Sequence, residues 1–189
     1  MIVVVADASP LNYLIQIDCE HVLPVLYERV FVPTAVVEEL NHRGAVAAVR
    51  AWLARAPSWL VVRDVASAPD PGLAKLDPGE RQAIQLARQE HADLLLMDEK
   101  LGVRIAREQG LAVTGTLGVL PQAARRGLVD VERALTDLRA TDFRGSRRVM
   151  EEVRLPPPPP FFPRVTGISA RGSRGLPVGS TNQRCAALQ

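Results

Sequence analysis

Cysteine is scarce in this chain: 189 residues contain two, Cys19 and Cys185, far apart in sequence. Such a pair gives neither a disulfide framework nor the paired spacing of a zinc site. Histidine is equally thin, with three scattered copies at His21, His42 and His91, so a zinc centre of imidazole and thiolate ligands is not expected. Aromatic residues make up 4% against 47% hydrophobic overall, which leaves Val, Leu, Ile and Ala to fill the core. An aliphatic, β-branched core suits helices packed on a buried sheet better than an aromatic-rich β-sandwich. No apolar run approaches the roughly 20 residues that a spanning helix needs, so no membrane segment is expected. The first residues carry no basic stretch or cleavage signal and reach an acid at Asp7, which makes the cytoplasm the expected compartment.

Bulk basic charge is also missing. The net charge is +2, but the stretch from Pro156 onward carries four arginines (Arg164, Arg171, Arg174, Arg184) and no acid. The first 155 residues therefore hold 19 basic and all 21 acidic residues, so any nucleic-acid binding by the folded part must rest on a local patch. The same stretch opens with five consecutive prolines, Pro156–Pro160, which impose extended or polyproline II backbone. Gly, Ser and Arg follow without periodicity, and 156–189 is read as a disordered tail behind one domain of 1–155.

What is present is an alternation of short aliphatic runs and helical stretches. Ile2–Ala6, Val30–Val32, Leu60–Val65, Leu94–Met97 and Leu111–Val113 read as five strands. Between them lie helical patterns at Pro10 to about Glu28, Pro33–Leu40, Ala45–Ala56 and Asp77 to about His91. Leu101–Gln109, Thr116–Arg126, Asp130–Leu138 and Arg147–Val153 continue the series, and Ser67–Gly72 reads as a loop. Unalternating aliphatic strands between helices imply an α/β fold with a parallel five-stranded sheet and right-handed crossovers.

Four acids stand at element ends: Asp7, Glu39, Glu80 and Asp98. Asp7 follows the first run and Asp98 the fourth. In a parallel sheet the residues just past the strands share one edge, where open α/β sheets bind ligands. Carboxylates gathered there repel one another unless a cation lies between them, which points to Mg²⁺ or Mn²⁺ chemistry. Ser9 followed by Pro10 supplies an N-cap and a first helical position, so Asp7 is not needed as a cap. Val36 and Leu40 define a buried stripe, and at about 100° per residue Glu39 flanks it while Glu38 points away. From spacing alone Glu39 is either solvated or turned to the sheet edge.

Glu80 has a structural reading of its own, because Asp77-Pro78-Gly79-Glu80 forms a capping-box pattern. That role does not prevent a carboxylate in the first turn from facing a cation. After the fourth strand, Asp98 is placed toward the cleft and Glu99 at the start of the next helix. Thr116 is read as an N-cap or as a hydroxyl near a metal-bound water, and Thr114 stands beside it. Lys100 and Arg104, four apart on one helix, either form a solvated face or border the path of a phosphate backbone.

Taken in order, five segments resemble the PIN-domain family, in its toxin-like (VapC-type) branch. They are Val3–Leu11 (VVVADASPL), Val32–Leu40 (VPTAVVEEL), Leu76–Ile84 (LDPGERQAI), Leu94–Lys100 (LLLMDEK) and Val113–Gly118 (VTGTLG). The resemblance implies a three-layer α/β/α sandwich and an endoribonuclease that cuts single-stranded RNA with Mg²⁺ or Mn²⁺. It implies Asp7, Glu39, Glu80 and Asp98 as catalytic metal ligands with Ser9 and Thr114 as supporting hydroxyls, a set that the residues themselves extend to Thr116 and, toward nucleic acid, to Lys100 and Arg104. A homodimer and a small cognate antitoxin are the implied partners. Two departures stand out: Glu80 where many family toxins have Asp, and Asp98-Glu99 where they have Asp-Asp. They keep open a different class of function, a catalytically silent PIN-like domain that binds nucleic acid or a partner protein.

Overall fold

Five aliphatic runs pair side by side into one sheet: β1 (Val4–Ala6), β2 (Val30–Pro33), β3 (Leu60–Arg63), β4 (Leu94–Leu96) and β5 (Val113–Thr114). The strand order is β3-β2-β1-β4-β5 and every pair is parallel. The computed structural model describes residues 2–65, 70–145, 150–151 and 153. The expected tail at 156–189, most of the helix expected at 147–153 and part of the loop at 67–72 lie outside them. Eight α-helices are found among the described residues: α1 (Ala8–Gln16), α2 (Val22–Tyr27), α3 (Thr34–Leu40), α4 (Ala47–Leu53), α5 (Pro78–Gln89), α6 (Lys100–Glu108), α7 (Thr116–Arg125) and α8 (Val131–Ala140). None of the helices among the described residues is long and apolar enough to cross a membrane.

The period of two along a strand divides the core into two layers. Val4 and Ala6 of β1 and Leu96 of β4 face one cluster, where Leu11, Leu14, Val36, Leu120 and Leu135 bring in α1, α3, α7 and α8. Val5 and Leu95 face the other, filled by Ala83, Ile84 and Ala87 of α5 and Ala106 of α6. With helices on both sides, the expected three-layer α/β/α architecture is what the chain adopts. Sequential strands run outward from β1 in one direction and then restart beyond it at β4. The crevice between the carboxyl ends of β1 and β4 is therefore the switch point at which such sheets bind ligands.

Local departures from the sequence pattern have identifiable causes. The helix expected from Pro10 to Glu28 is two helices. After Gln16 the chain passes through Asp18 at φ 54°, and Cys19 N–H bonds the Leu14 carbonyl while Asp18 N–H bonds that of Ile15. That is a Schellman stop, normally signalled by glycine, written here with Asp. β5 starts later than expected because the N–H of Leu111 closes α6 on the Ala106 carbonyl, behind Gly110 at φ 82°. Helix α1 begins at Ala8, so the N-cap position is Asp7 and neither Ser9 nor Pro10 starts the helix. Proline fits in that first turn because its missing N–H would find no helical acceptor there.

Candidate metal centre

Asp7 sits at the C-terminal end of β1 with 2% of its surface exposed. Its backbone N–H extends the sheet by bonding Leu96 O at 2.9 Å. Although it occupies the N-cap position of α1, its side chain makes no capping bond, and Oδ1 is buried with no hydrogen-bond partner. Burial is the main reason its pKa is pushed up to about 8; Glu39, Asp77 and Glu80 add repulsion, and the Ala8 N–H opposes it. An orphaned, buried carboxylate oxygen among other acids is a costly arrangement for a group with only a structural task.

The surrounding acids come from α3 and from the start of α5, which pack against each other. Asp77 and Glu80 form the capping box read from the sequence: Glu80 N–H donates to Asp77 Oδ1 at 2.8 Å, and Asp77 N–H donates to Glu80 Oε2 at 3.2 Å. Glu80 is nonetheless 6% exposed, and burial with Asp77 as its nearest repulsion raises its pKa to about 7. Its other oxygen faces Gly102 of α6, 3.0 Å from where a Cβ would stand. Gly79, between the two box residues, has three carboxylates around it. A Cβ there would meet Glu39 Oε2 at 2.6 Å, Asp77 Oδ1 at 3.4 Å and Asp7 Oδ1 at 3.6 Å. Only glycine leaves that space open. Glu39 and Asp77 reach solvent while Asp7 does not, and partial burial with Asp77 beside it raises the pKa of Glu39. Glu38 borders the same cleft without reaching this point.

Asp98 is placed differently. Ala6 and Leu96 are in register, and Asp7 is one residue past the first while Asp98 is two past the second. Alternation therefore sends Asp7 to the α5 layer and Asp98 to the α7 layer. There Thr116, fully buried, donates its N–H to Asp98 Oδ1 at 2.9 Å and its hydroxyl to Oδ2 at 2.6 Å. The N-cap position of α7 is Gly115, which has no side chain, so Asp98 caps the helix from a distance and Thr116 is its first residue. Burial raises the pKa of Asp98, against the pull of those two bonds and with Glu99 adding repulsion. The structure thus gathers Asp7, Glu39 and Glu80, adds Asp77, and keeps Asp98 on the far wall of the crevice.

These bonds give a direct test. Thr116→Val keeps the shape and removes the hydroxyl donor, and losing a bond to a charged group costs about 1.5–3 kcal/mol. The variant should melt several degrees lower and Asp98 should titrate at higher pH. An unchanged melting curve would show that the hydroxyl contributes nothing to holding α7.

The other expected residues fall in two clefts. Thr114, Lys100 and Asp98 line one of about 810 Å³ between α6 and α7, and Ser9 lines another of about 730 Å³ with Glu39, Asp77 and Gly79. Arg104 is exposed on α6 but outside the first lining; Arg107 and Arg144 stand there instead. Asp142, beyond α8, borders both clefts.

Among the described residues, no group of three His, Cys, Asp or Glu side chains is assembled to hold a metal ion as placed. The donor set still suits a hard divalent cation: carboxylate oxygens alone, one buried and unpartnered, around a gap that a single methyl would fill.

No curated protein matches the chain. Among solved structures it is similar to a PilT N-terminus domain protein, SSO1118, from the hyperthermophilic archaeon Sulfolobus solfataricus P2. The identity is 18% and the TM-score 0.47, over 65% of this chain and 93% of that one. Residues 3–155 match the DUF3368 family, described as a PIN domain, and the chain accordingly belongs to the PIN-domain family.

Proposed function

We propose that this protein is a Mg²⁺- or Mn²⁺-dependent endoribonuclease acting on single-stranded RNA, and the toxin of a toxin–antitoxin pair. PIN domains are generally nucleases, and the observation that carries the finer reading is the unpartnered Asp7 Oδ1 at the switch point of the sheet. Glu39 and Asp77 oxygens converge with it beside Gly79. Asp7 and Glu39 would hold the cation, with Glu80 and Asp98 completing the acidic set and Asp77 added by the fold. A divalent ion bound there supplies an activated water and charge stabilisation on the phosphate. Buried Asp7 orients its free oxygen and gives up its proton when the ion binds, while the Asp77–Glu80 box fixes the start of α5 and with it Gly79. Thr116 holds Asp98 in one rotamer on the opposite wall, so that the carboxylate cannot swing away from the crevice.

The expected partners are a small antitoxin and a second copy of this chain, in the cytoplasm. Support for the antitoxin comes from the cleft carrying Glu38, Glu39, Asp77 and Asp142, which has no Lys or Arg among the described residues of its lining. Such a field attracts a basic segment. Growth arrest on expression, relieved by the product of a neighbouring small gene, is the expected result, with a dimer in sedimentation.

Cleavage is tested with purified full-length protein, Mn²⁺ and a broad pool of single-stranded RNA. Asp98→Asn should lose cleavage while folding normally, because Asn Oδ1 still accepts the Thr116 N–H and its amide can face the hydroxyl. Wild-type protein that binds Mn²⁺ yet cuts no RNA would favour instead a catalytically silent binding domain, to which the departures at Glu80 and Glu99 also point.

A further inference from the structure

The two clefts that meet at Asp142 differ in charge: among the described residues one is lined by acids without a Lys or Arg, and the other sets three cations against Asp98, Glu99 and Asp142. Among the described residues, the one holding Glu39, Asp77 and Gly79 has His42 as its nearest approach to a cation. The one holding Asp98 has Lys100, Arg107 and Arg144 set among its acids. A polyanion passing the switch point finds guanidinium and ammonium partners for its phosphates on one side and carboxylates on the other.

The cleft with the arginines also has the right walls. Tyr13 and Phe143 both line it, in a chain where aromatics are 4% of residues. Their rings stand edge to face, centroids 4.8 Å apart at 87°. In that arrangement the ring that offers its edge keeps both of its own faces clear of its partner. Burial, and Asp142 close to the Tyr13 hydroxyl, raise the pKa of Tyr13 and keep it neutral. Arg107 reaches Val113 O at the sheet edge, 3.5 Å away, and a guanidinium so anchored has further N–H groups free. Gly115 keeps the wall bare beside Asp98, since a Cβ there would collide with the Asp98 carboxylate. About 810 Å³ is within the range of pockets that enclose a ligand of nucleotide size.

We propose that single-stranded RNA enters the crevice through this cleft alone, its phosphates paired with Arg107 and Arg144 and one base received by the Tyr13–Phe143 pair. The inference rests on the ribonuclease reading and adds to it a path, a polarity and the residues that set them. Arg104, three positions before Arg107 on the same helix, takes no part.

The test uses the full-length Asp7→Asn protein, in which cleavage should be lost, and a short labelled single-stranded RNA of mixed sequence read by fluorescence anisotropy in Mn²⁺ across a salt series. Arg107→Ala and Arg144→Ala should each weaken binding about fivefold to tenfold and reduce the slope of log affinity against log salt by about 0.7. Arg104→Ala should change affinity less than about twofold. Tyr13→Ala should cost roughly tenfold and Tyr13→Phe little, the pattern of base stacking. Thermal melts identify any variant that fails to fold, and the arginine series stands without Tyr13. Equal losses at Arg104 and Arg107, or an unchanged salt slope, overturn the path while leaving ribonuclease activity intact. A parent protein that binds no RNA overturns the ribonuclease reading and the path together.

Discussion

Asp7→Asn should remove Mn²⁺ binding and RNA cleavage while making the metal-free protein more resistant to heat than the wild type above pH 8. The sign follows from burial. Asp7 titrates near 8 in the folded chain against a usual 3.8. Between those values the folded chain keeps a proton that the unfolded chain has released, so stability falls as pH rises from about 4 to about 8, then levels once the folded group ionises too. Glu80, raised to about 7, adds a slope of the same sign. Asparagine has no proton to lose. Near pH 4 the two proteins should melt alike, the gap should already be open at pH 6, and at pH 9 the variant should melt higher by several degrees, each kcal/mol being worth about 2–4 °C in a chain of this size.

The same shift links the cation to protons. A cation needs Asp7 ionised, so Mn²⁺ binding should release a proton below pH 8, seen as a dependence of calorimetric heat on the buffer's ionisation enthalpy. Equal melting of wild type and Asp7→Asn at pH 9, or heats independent of buffer, would sink this account.

Much of this site is legible in the amino-acid sequence. The aliphatic runs ending at Ala6 and Met97 place Asp7 and Asp98 at the sheet edge, and helical phase relative to Val36 and Leu40 selects Glu39 over Glu38. Strand count, parallel pairing and layers follow from the same alternation. What sequence does not state is register. The pairing of Ala6 with Leu96 puts Asp7 and Asp98 on opposite faces, and that offset cannot be read from either run alone. Asp77 is hidden by its own good explanation, because a capping residue needs no second role, yet its oxygen lies with those of Asp7 and Glu39. Arg107 could have been found by phase. At about 100° per residue it lies about 20° from Lys100, closer than Arg104 at about 40°. The break at Asp18 is not legible, since a left-handed Asp has none of glycine's compositional signal.

Gly79→Ala is expected to separate the site from the fold. At this position in the first turn of α5 the backbone is ordinary helix, and alanine is the better helix former by about 1 kcal/mol at most. The new methyl meets Glu39 Oε2 at 2.6 Å, and that atom is the far end of a side chain that can turn away into solvent. The melting temperature should therefore hold or rise by a few degrees. Once turned away, Glu39 no longer shares the gap with Asp7, and Mn²⁺ affinity should fall about 10–100-fold, the range seen when groups supporting a metal site are lost. A double-mutant cycle with Glu39→Ala fixes the cause. If the methyl acts by displacing Glu39, adding Glu39→Ala to Gly79→Ala should cost little more affinity, although each change alone is severe. Full additivity would mean that the methyl disturbs Asp7 or Asp77 instead, and Mn²⁺ binding by Gly79→Ala as tight as wild type would mean that no cation sits between these carboxylates.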